Sequence, residues 1–64
     1  MEQLGELTYK SAWGSHAVPV DGVSIDDVRE AIQLLPDGAT DVHWNKNDNA
    51  NCVVEPADLG LPGR

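Results

Sequence analysis

Between Ile25 and Leu35 the apolar residues Ile25, Val28, Ala31, Ile32 and Leu35 recur three and four positions apart, which lines them along one face of a helix. Asp26, Arg29, Glu30 and Gln33 fall on the other face, so the pattern predicts an amphipathic helix with one buried stripe. Ser24 is placed as its N-cap, and Asp27 stands where a capping-box acid reaches back to the N–H of the cap. Val23 and Val28 are spaced for a hydrophobic staple, while Asp26 and Asp27 face the positive end of the helix dipole. Pro36 and the pair Asp37-Gly38 stop the helix near Leu35. A helix of about a dozen residues is marginal alone in water, so its stripe needs a partner surface.

The rest of the chain supplies that surface as strands. From Glu6 to Trp13 the sequence alternates, with Leu7, Tyr9, Ser11 and Trp13 on one side and Thr8, Lys10 and Ala12 on the other. Gly14-Ser15 is expected to form a two-residue hairpin turn, leading into a second strand from His16 to Val20. Pro19 cannot donate a ladder hydrogen bond, which puts this strand at a sheet edge, and Asp21-Gly22 turns the chain into the helix. Thr40 to Asn45 reads as a third strand with Val42 and Trp44 on one face. The run Lys46 to Asn51 is rich in asparagine and reads as a loop, after which Asn51 to Glu55 returns as a fourth strand around Cys52, Val53 and Val54. The fold class expected is α+β: a ββαββ order, two hairpins in an antiparallel sheet, and the helix packed on one face. The whole chain, 1–64, is one domain, with residues 1–5 and 57–64 irregular or frayed, although Leu59 and Leu61 can still pack across the end of the core.

Size and charge narrow the function. A chain of 64 residues buries only about 60% of its unfolded surface and retains about 3–5 kcal/mol of stability, which argues against a deep catalytic cleft. Eleven acidic residues against four basic ones give a net charge of −7, which repels nucleic-acid backbones and anionic membranes. No direct nucleic-acid or membrane partner is therefore expected. The single cysteine, Cys52, excludes an internal disulfide, and with no signal-peptide pattern it favours a cytoplasmic setting.

Each chemical motif in the chain has a plainer reading. The run from Asn45 superficially resembles a calcium loop, but its sixth position is Ala50 where glycine is needed and its twelfth is Pro56 where a bidentate glutamate is needed. His16, His43 and Cys52 lack the close pairing of zinc motifs, so no metal site and no cofactor are expected. Cys52 with His43 is the one thiol–imidazole pair worth testing for a cysteine hydrolase, yet Cys52 sits beside Val53 and Val54 as a packed core thiol would.

Two interaction readings remain. Tyr9, Trp13 and Trp44 are core if they face the helix, and anchors for a protein partner if they lie on the open face of the sheet. Asp26, Asp27 and Glu30 give the helix an acidic face, with Asp21 and Asp37 beside it, suited to a basic groove or equally to plain solvation. The leading expectation is a non-enzymatic protein-binding module or small regulator. Its runner-up is an acidic mimic that inhibits a DNA- or RNA-binding protein, comparable by type to small phage-encoded anti-defence proteins. A homodimer through an exposed edge strand is a further expectation, because unpaired edge groups invite pairing.

Overall fold

A computed structural model describes residues 2–62. Three antiparallel strands form one sheet in the order β2-β1-β3: β1 (Glu2–Ser11), β2 (Gly14–Gly22) and β3 (Thr40–Lys46). One helix, α1 (Ile25–Gln33), lies between β2 and β3 in sequence and rests chiefly on β2. The molecule is thus a small α+β domain with β1 central, and β2 on the edge as Pro19 requires.

The helix start follows the local signals. Ser24 is the N-cap, and Asp27 Oδ2 accepts hydrogen bonds from the backbone N–H of Ser24 at 3.0 Å and of Val23 at 2.7 Å. Those two N–H groups hold the Asp27 carboxyl below the ordinary aspartate value. Gly22 is needed beside this cap, since a Cβ there would stand 2.5 Å from Cβ and Oδ2 of Asp27. The staple does not form: Val23 is 73% exposed, because its N–H turns in toward Asp27 and its side chain turns out. The helix ends at Gln33, with Leu34 as C-cap.

Seven residues form the core: Leu4, Leu7, Val20, Val28, Trp44, Ala50 and Val54. Leu4 and Leu7 both face inward despite their odd separation because the β1–β2 register shifts between Gln3 and Gly5. Glu2, Gln3 and Gly5, in the stretch expected to be irregular, are therefore paired in β1, with Leu4 at the bulge between them. The expectations for Met1, Gly63 and Arg64 lie outside the described residues.

The fourth strand is a correction. Asn51–Glu55 forms no ladder, and a short 3-10 turn, Pro56–Leu59, follows it. Its backbone is engaged by a side chain instead: the indole Nε1–H of Trp44 donates to the carbonyl of Val54 at 2.6 Å. The segment consequently crosses the end of the core, with Val54 inward and Val53 42% exposed, and Leu59 and Leu61 pack beside it. The N–H of Trp44 then reaches the carbonyl of Pro62 at 3.3 Å, so the chain's last described turn covers part of the outer edge of β3.

The first turn also differs. Ser11 pairs with Gly14, so Ala12 and Trp13 make the reversal and Gly14 takes the positive φ of 113° that glycine tolerates. Opposite it, β2 runs on through Asp21 and Gly22, which were expected to turn.

Candidate functional site

A ten-residue strand spans about 33 Å, whereas a nine-residue helix spans about 13 Å. The buried residues of the hairpin, Leu4, Leu7 and Val20, all lie at the end away from its turn, so the tip extends beyond the core in a molecule measuring 34 × 20 × 17 Å. At that tip Trp13 is 91% exposed. Behind it, Tyr9 stacks on its cross-strand partner His16 with ring centroids 5.1 Å apart, and Ser11 Oγ lies 2.8 Å from His16 Nε2.

The two tryptophans therefore have opposite fates. Trp44 is fully buried and cannot contact a partner, which removes it from the expected binding residues; Trp13 lies in the turn, not on a strand, and is the most exposed large apolar side chain described. Tyr9 is half-buried against His16.

The sheet carries a groove of about 320 Å³ walled in part by the stacked pair Tyr9 and His16, with Thr8, Lys10, Ser15, Ala17, Asp41 and His43 completing its lining. Register explains the gathering: Thr8 faces Ala17 on one side and His43 on the other, and Lys10 faces Ser15. Alternation then turns these side chains to the face opposite Leu7. Between Thr8 and Lys10 the β1–β3 register shifts, with Asp41 at a φ of 51°, and its carboxylate comes to 3.8 Å from Lys10 Nζ. Two polar atoms here are screened from solvent and bonded to nothing among the described residues: Thr8 Oγ1 and His43 Nδ1. Of these lining residues the sequence singles out Tyr9 as a partner anchor and His16 and His43 as candidate ligands; Thr8, Lys10, Ser15, Ala17 and Asp41 join them only through the cross-strand register.

The acidic helix face is present but divided in role. Asp27 is committed to the cap, Asp26 stands 3.6 Å from Arg29, and Glu30 faces solvent. Every lysine and arginine described is beside an acid: Lys10 at Asp41, Arg29 at Asp26, and Lys46 at Glu55 (2.7 Å) and Asp48 (3.5 Å). Hydrogen bonding to Glu55, more than charge alone, holds the Lys46 ammonium above the ordinary lysine value. Glu6, Asp21, Glu30, Asp37 and Asp58 have no such partner among the described residues, and Glu2 and Asp27 accept backbone N–H groups instead.

Cys52 and His43 are placed in different cavities, His43 in the sheet groove and Cys52 beside Glu2, Gly22, Val23 and Asn51. Among the described residues no group of three His, Cys, Asp or Glu side chains is placed to hold a metal ion. No described helix is long and apolar enough to cross a membrane. No protein-family model, curated protein or solved structure matches this chain.

Proposed function

We infer that this protein is a non-enzymatic binding module that docks on a protein partner through the tip and open face of its β1–β2 hairpin. The observation that carries this reading is Trp13: an indole left 91% exposed at the end of a paired hairpin is a large apolar surface open to a partner. Tryptophan is enriched among residues that dominate interface energies, because it buries much area at little cost in side-chain freedom.

The second reading, an acidic inhibitor of a nucleic-acid-binding protein, draws on the charge distribution. With the described cations each beside an acid and seven of the eleven acids lacking a cation among the described residues, the outward field is negative and favours a basic partner. A homodimer would pair along the free edge of β2, where Pro19 removes one donor.

The test is a quantitative pull-down with wild type and Trp13→Ser at low and high salt. A partner retained by wild type at high salt and lost by Trp13→Ser supports docking through the tip. Partners held equally by both proteins and released by salt support the acidic reading and exclude the first.

A further inference from the structure

We propose that the turn between α1 and β3 is a site of spontaneous covalent modification, at which Asp37 isomerises to isoaspartate through attack by the Gly38 backbone nitrogen.

The chain contains Asp-Gly twice, at Asp21-Gly22 and at Asp37-Gly38. This pairing is the one most open to such chemistry, because glycine has no side chain to shield the attacking nitrogen and its backbone rotates most freely. Ring closure requires the aspartate main chain to turn about its Cα–C bond until that nitrogen meets the side-chain carboxyl carbon. The fold sets the two pairs apart on this point. Asp21 and Gly22 lie in β2, opposite Gln3 and Glu2 of β1, and Gly22 is buried so close to Asp27 that no Cβ fits between them. Rotation there would break the strand pairing and disturb the helix cap. Asp37 and Gly38 are both exposed, in a turn spanned by the hydrogen bond from Ala39 N–H to the Pro36 carbonyl at 3.0 Å. Among the described residues the Gly38 N–H donates to no backbone carbonyl, and no cation stands beside Asp37.

The reaction needs no reagent but water. The Gly38 nitrogen attacks Asp37 Cγ and gives up its proton to solvent; the N–Cγ bond forms, the Cγ–OH bond of the protonated carboxyl breaks, and the hydroxyl leaves with a proton as water. The five-membered succinimide then takes up one water. Entry at Cγ restores aspartate. Entry at the Asp37 main-chain carbonyl carbon breaks its bond to nitrogen, so the chain now runs through Cβ and Cγ and the former main-chain carboxyl becomes the side group. The backbone is lengthened by one carbon just ahead of Thr40, where β3 begins its pairing with Lys10.

The experiment incubates the folded full chain at physiological temperature in mildly acidic buffer, beside the same chain unfolded in guanidinium chloride. Isoaspartate is located by peptide mapping and by an isoaspartyl-specific carboxyl methyltransferase with a labelled methyl donor. The folded protein is expected to accumulate product at Asp37 and none at Asp21, whereas the unfolded chain reacts at both. Gly38→Ala, whose added Cβ meets nothing within 4 Å, keeps the fold and is expected to lose most of the product at Asp37. No product at Asp37 in the folded chain, product at Asp21 as readily as at Asp37, or undiminished product in Gly38→Ala would each overturn the proposal.

Discussion

The indole of Trp44 stands over Gly5: a Cβ at Gly5 would come within 2.6 Å of Cζ2 and Cη2 of that ring. Real carbon contacts do not close to that distance, so the central strand must carry a residue without a side chain where the largest core residue crosses it. Gly5→Ala is expected to destabilise the fold by about 1–3 kcal/mol through overpacking, read from the urea midpoint. Unchanged stability would mean that the indole has room to shift.

The two tryptophans give a contrast in one assay. Trp44→Phe leaves the Val54 carbonyl without its donor and is expected to cost about 1–3 kcal/mol, whereas Trp13→Phe at the tip should change stability by less than about 0.5 kcal/mol. Fluorescence gives an independent check. Trp13→Phe, which leaves Trp44 alone, should emit at shorter wavelength and resist acrylamide, and Trp44→Phe should do the reverse.

Asp27 links the helix cap to acid stability. Its carboxyl is held below the ordinary aspartate value by the N–H groups of Val23 and Ser24, so the contribution is present above the unfolded-state value. It is lost as pH falls through the lower folded-state value. Asp27→Asn should therefore flatten that part of the acid unfolding curve, and a curve parallel to wild type through this range would refute the assignment.

Lys46 acts with the opposite sign. Its ammonium is held above the ordinary lysine value, first by the hydrogen bond to Glu55, so the fold gains below that ordinary value and loses the gain as pH rises through the raised one. Glu55→Gln should shrink the alkaline loss of stability, and added salt should shrink it further.

Thr8 separates a structural role from a binding one. With its hydroxyl unpaired, Thr8→Val is expected to leave stability unchanged or raise it by about 1 kcal/mol. A clear loss would show that the hydroxyl has a partner in the folded protein.

Several features are written locally in the chain. The helix from Ile25, the cap at Ser24 and the return contact from Asp27 depend on residues within a few positions of one another, so periodicity and capping chemistry determine them. The edge position of β2 follows from Pro19 for the same reason. Tertiary structure decided the rest. Cys52 to Val54 has the composition of a strand, yet the Trp44 indole takes the Val54 carbonyl and the segment crosses the core unpaired. The hairpin turns at Ala12-Trp13, not Gly14-Ser15, because register is set along the whole β1–β2 pairing, with Leu7 opposite Val18. That shift puts Trp13 in solvent, while Trp44, also on an alternating run, is fully buried. The groove has no sequence signature at all: Thr8, Lys10, Asp41 and His43 meet only because two strands distant in the chain lie side by side, and a long-range register is not encoded in any short window of residues.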